Sequence, residues 1–188
     1  MKQLVVILVL LYLAGCAGQS VKDDYYTKIN FNIKAGYYES LLIDSWEIKK
    51  PVCANISLIS PRYETKWLPK LGISILDSED LYTAEVFLVA KTRKSEDVVL
   101  MYSLHEKEAG FIARKIISDD ISYKDKVDVN IVFTDSGGIT ILSNRERQTH
   151  SIPFEPSRLR ILSSSGVAEV GLIDEDECNK LVENRMAN

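Results

Sequence analysis

The sequence predicts an all-β chain, a single antiparallel β-sandwich or jelly roll with a short C-terminal helix, and three observations predict it. Apolar residues recur with a period of two along most of the chain, the repeat of half-buried strands. Turn-forming residues break these runs roughly every twelve residues. One segment near residue 174 carries helix-start signals and no other does so convincingly. Ten to twelve candidate strands result, enough for two packed sheets. No repeat, long linker or low-complexity block divides them, so residues 25–188 read as one domain.

Taken in order, the chain opens MKQLVVILVLLYLAGCAGQS. Lys2 is a minimal basic region, and Leu4 to Leu13 form an apolar run of about ten residues where a bilayer span needs roughly twenty. Residues 1–15 therefore read as a cleaved signal peptide, and residues 16–24, small and polar from Ala17 onward, as a tether. In the domain, Ile56 and Leu58 alternate with Asn55 and Ser57, and Leu71, Ile73 and Ile75 with Gly72 and Ser74. TAEVFLVAK (83–91) and DVVLMYSL (97–104) are apolar on both faces, as central strands are, with the polar SED between them as a turn. Asp119 and Asp120 read as a turn after RKIIS, and Glu106 and Glu108 as part of a polar loop with Lys107 and Gly110. Val127, Val129, Ile131 and Phe133 alternate again, TDSGG (134–138) turns into ITILS, NRER (144–147) turns out of it, and SSSG (163–166) separates RLRIL from VAEVGLI. Asp174 then serves as a helix N-cap, Glu175, Asp176 and Glu177 fill a first turn where the helix dipole favours acids, and Arg185 fills the last. Cys178, Leu181 and Val182 share the face that would meet the sheet.

Leu13, Ala14, Gly15 and Cys16 resemble the lipobox of bacterial lipoproteins, a resemblance confined to this corner of the chain. It implies that the chain is cut before Cys16, that Cys16 is diacylated, and that two or three acyl chains hold the protein on a membrane. Ala17, which is not aspartate, implies the outer membrane of a double-membraned bacterium, facing the periplasm or the surface; in a single-membraned cell the same signal implies the outer face. The alternative is an ordinary secretory signal with Cys16 incidental. Export places Cys53 and Cys178 in an oxidising compartment, where a disulfide between them is expected; the alternative is two separate buried thiols.

KVDVNIVF, a glycine turn, ITILSN, a polar tip, then SIPFEPSRLRILSSSGVAEVGLI is similar in order to the closing half of concanavalin A-like sandwiches. The resemblance covers about fifty residues and implies a fold rather than an activity.

Composition narrows the function. Acids outnumber bases 27 to 23 without a concentrated basic face, so no nucleic-acid partner is expected, and charge alone does not bind anionic lipid. Of the two histidines, His105 in LHEKEAG lacks a second histidine four residues on, and reads as an exposed strand end; His150 stands alone. DEDE (174–177) lacks the glycine and distal glutamate of a calcium loop and is explained as a helix start. No metal or cofactor is expected, and no G-x-S-x-G elbow or phosphate-cradling loop occurs. Glucanases related to concanavalin A carry alternating acids on one strand, a Glu-x-Asp-x-Glu run that this chain lacks.

Two sets of binding candidates remain. Tyr25, Tyr26, Tyr37, Tyr38, Trp46, Tyr63 and Trp67 crowd the first third of the domain, and neighbouring tyrosines on a strand cannot both face inward. Arg158 and Arg160 share one strand face, and Arg145 and Arg147 lie close in sequence, a set suited to carboxylates or phosphates. The function this supports is a lipid-anchored envelope protein whose sandwich binds or tethers an envelope protein or a glycan. The alternatives are a polysaccharide-acting enzyme on a concanavalin A-like scaffold and a purely structural protein.

Overall fold

In the computed structural model, residues 26–43, 46–47, 49–63, 68–92, 95–144 and 146–187 are described. Cys16, Tyr25, Trp67 and Arg145 lie outside these residues, as do the expected signal peptide and tether. Twelve strands form: β1 (Tyr26–Asn32), β2 (Tyr38–Ile43), β3 (Val52–Pro61), β4 (Lys70–Leu76), β5 (Tyr82–Ala90), β6 (Asp97–Glu106), β7 (Gly110–Ser122), β8 (Val127–Thr134), β9 (Gly138–Ser143), β10 (Glu146–Ser151), β11 (Arg158–Ser164) and β12 (Gly166–Ile173). One helix, α1 (Glu175–Met186), follows them. The first sheet has the order β1-β12-β3-β8-β9-β10 and the second β2-β11-β4-β5-β6-β7, with every pairing antiparallel.

Alternation places the core between the sheets. Leu71, Ile73 and Ile75 of β4, Val86 and Leu88 of β5, and Leu100 and Tyr102 of β6 meet Ile56 of β3, Val129 and Ile131 of β8, and Ile139 and Ile141 of β9. His150 of β10 also points inward and stacks on Tyr102, ring centroids 3.9 Å apart. Burial lowers the pKa of His150, and the charge of Lys115 lowers it further; burial raises the Tyr102 phenol to about 12. Trp46 packs on Phe133 at 5.6 Å against the rim of this core, and its Nε1 donates to the Lys50 carbonyl.

The helix begins as its sequence requires: the Asp174 side chain accepts from the Glu177 amide, acids fill the first turn and Arg185 the last. Cys178 is buried and bonded to Cys53 on the outward side of β3, closing 125 residues of separation. Lys50–Glu175 and Arg185–Asp128 ion pairs add to the clip.

Two expectations are corrected, the turn at Asp119 and Asp120 and the loop at Glu106. Asp119 and Asp120 make no turn; β7 runs unbroken from Gly110 to Ser122, and register shifts against β6 absorb its irregular pattern. Glu106 closes β6, and Glu108 lies in the turn before β7.

Candidate functional site

The outer face of the second sheet is assembled by register. With Ile161, Ile73, Val86 and Tyr102 turned into the core, their chain neighbours face out. Across the strands these make a middle row of Leu42, Arg160, Ser74, Glu85, Ser103 and Arg114. On one side runs Ser40, Leu162, Gly72, Phe87, Met101 and Ile116; on the other, Arg158, Leu76, Thr83, His105 and Phe111. In the middle row the buried Ser74, Glu85 and Ser103 make a floor, and the strands to either side of it, β11 and β7, make two walls.

The floor is tightly built. Ser74 and Ser103 are buried, and Glu85 is only 7% exposed although it faces away from the core. Lys70 forms an ion pair with Glu85 and lies 4.1 Å from the centroid of the Phe87 ring, so the buried carboxylate has its counter-charge beside it. Gly72 makes room for this arrangement: a Cβ there would stand 2.7 Å from Glu85 Oε1 and 2.8 Å from Phe87 Cβ.

The β7 wall is exposed and the β11 wall is half-buried. On the β7 side, Phe111 is 61% exposed, with the Arg114 guanidinium 4.0 Å from its ring centroid and the His105 ring edge-on at 5.3 Å. Ile116 continues the same wall. On the β11 side, Arg158 is engaged by the Asp77 and Ser78 carbonyls and by Asp80. Arg160 has no ion pair among the described residues, and its Nε is buried without an acceptor.

Chemically, such a face can hold a polar chain: donors at both flanks and a ring surface at Phe111. It does not supply two carboxylates for glycoside cleavage, since Glu85 is the one acid in the three rows. Among the described residues no group of three His, Cys, Asp or Glu is placed to hold a metal ion.

The residues singled out from sequence are distributed unevenly. Arg158 and Arg160 stand on this face, and Tyr38, 77% exposed, joins it one row beyond Gly72, in register with Ser164 and Lys70. Tyr37 is exposed beside it, whereas Tyr26 opens β1 in the other sheet. Trp46 is a rim residue of the core, and Tyr63 donates to the Ser95 carbonyl beside the Tyr123 hydroxyl. Arg147, on β10, is not brought to Arg158 and Arg160: it projects from the outer face of the first sheet. Glu85, Lys70, Phe111 and Arg114 were not legible as a group, though one clue existed, a single acid inside the apolar run TAEVFLVAK.

These two sheets define a β-sandwich of the jelly-roll kind, and solved structures share that fold. Carbohydrate binding module CBM66 from Bacillus subtilis matches with a TM-score of 0.53 at 11% identity, over 77% of this chain and 86% of its own. An alginate lyase from Pseudomonas aeruginosa matches at 0.55 and 10% identity, over 80% and 85%. The Crh5 transglycosylase matches at 0.53 and 12% identity, over 78% and 69%. At such identities the likeness is one of fold, and it agrees with the concanavalin A-like order of the closing strands. No family model and no curated protein sequence matches the chain.

Proposed function

We propose that this protein binds glycan through the outer face of its second sheet while a lipid on Cys16 holds it at a bacterial envelope membrane. The observation that carries the binding reading is the floored and walled face itself, with buried Ser74, Ser103 and Glu85 between exposed Phe111 and Arg114 on one side and Arg160 on the other. An exposed ring beside fixed hydrogen-bonding groups is what a sugar offers surface to, through its apolar face and its hydroxyls. The fold neighbours support the same reading, since one is named as a carbohydrate binding module and another as an alginate lyase. The lipobox-like Leu13, Ala14, Gly15 and Cys16 support the anchor, which would confine the domain to one surface and raise its effective concentration there.

The test is a glycan array probed with the full chain in detergent, beside a Phe111→Ala variant, with a pull-down from envelope extract in parallel. The expected result is selective glycan binding that falls about tenfold or more in Phe111→Ala. A specific protein partner with no glycan signal would overturn the reading and leave a protein-tethering role.

A further inference from the structure

We infer that the glycan read by this face is an acidic polysaccharide, its anionic groups held by Arg160 and Arg114 at the two flanks of the middle row. The inference rests on the glycan-binding reading above and narrows it to a ligand class.

The sign of the face is the first argument. Over the whole chain acids outnumber bases, yet here Arg158, Arg160, Arg114 and Lys70 stand against two carboxylates, Glu85 and Asp80. The second argument is which cations are already committed. Lys70 is paired with Glu85, and Arg158 is bound by two carbonyls and Asp80. Among the described residues, Arg160 and Arg114 have no carboxylate partner; Arg114 rests on the Phe111 ring, and Arg160 keeps its Nε buried and without an acceptor. A guanidinium fork suits a planar carboxylate, or a sulfate, better than a sugar hydroxyl.

Spacing sets the size of the ligand. Arg160 and Arg114 lie two strands to either side of Glu85. At about 4.8 Å per strand, their backbones stand roughly 19 Å apart. One monosaccharide cannot bridge that distance and a chain of several can. At the centre Lys70 is spent on Glu85 and offers no free cation, which leaves the flanks as the anionic positions.

The test compares alginate, polygalacturonate and hyaluronan with their carboxyl-reduced forms, by titration against the full chain in detergent, and adds Arg160→Gln, Arg114→Gln and Arg147→Gln. The expected result is binding to at least one acidic polymer that weakens at least about tenfold on carboxyl reduction and about as much in Arg160→Gln. Rising salt should weaken it less steeply in that variant than in the parent. Arg147→Gln, on the opposite sheet, should bind as the parent does. Arg114→Gln, at an exposed position, keeps the test decisive if Arg160→Gln does not fold. Equal binding to acidic and reduced forms, a preference for neutral glycans on the array, or undiminished binding in the folded Arg160 and Arg114 variants overturns the acidic class and leaves glycan binding standing. Binding to no glycan at all overturns both.

Discussion

At the residue scale, His150, a histidine that stands alone in the sequence, becomes part of the core. It is 8% exposed and lies flat against Tyr102. Its folded pKa is depressed from 6.5, first by burial and then by Lys115, while Tyr102 stays protonated because burial raises it to about 12. The unfolded chain therefore takes up a proton at His150 as pH falls through about 6.5, and the folded chain resists doing so until a lower pH. Stability from this site is complete above pH 6.5 and declines below it. Urea unfolding at pH 7.5 and pH 5.5 should show a loss in the parent that is smaller in His150→Gln; equal losses in the two would remove His150 as a source. The sequence displayed this histidine but not its surroundings, because its stacking partner comes from the other sheet.

At the scale of elements, legibility followed exposure. The strands β8 and β9 pair in the interior of a sheet and read clearly by alternation and by the glycine turn between them. Strand β7 did not, because it is an edge strand: it pairs only with β6, and register shifts interrupt its alternation. That hid Phe111 and Arg114, which the structure makes one wall of the outer face. The helix was legible from its cap, acids and apolar face, and so was the reason to expect Cys178 against the sheet. With 125 residues between its ends, the Cys53–Cys178 bridge contributes about 4 to 5 kcal/mol in a chain-entropy account. The Cys53→Ser/Cys178→Ser protein should unfold at markedly lower urea, and its α1 amides should exchange earlier than those of β4 and β5. Unchanged protection of α1 would mean that the Asp174 cap and the Lys50 and Arg185 ion pairs suffice.

At the scale of the whole molecule, the site was illegible for a topological reason. The middle row runs through residues 42, 160, 74, 85, 103 and 114, an order no local pattern displays. Arg147 and Arg158, only eleven positions apart, end on opposite sheets because the chain crosses between β10 and β11. The proposed anchor belongs to this scale too. Mass spectrometry of protein from a bacterial host should find acyl chains on an N-terminal Cys16, and Cys16→Ser should move the protein from the detergent phase to the aqueous phase; an unmodified, detergent-free parent would refute the anchor.

The pairing of first strands with last carries a consequence for biogenesis. Among the described residues, strand β1 bonds only to β12, and β2 only to β11. Neither can be sealed into its sheet until residues 158–173 have been synthesised, and the bridge waits on Cys178. The sandwich therefore does not close progressively behind the ribosome; it closes late, from long-range contacts that form slowly. Strands β3 and β8 to β10, and β4 to β7, can pair before then, while β1 and β2 wait as unpaired ends for partners that are made last.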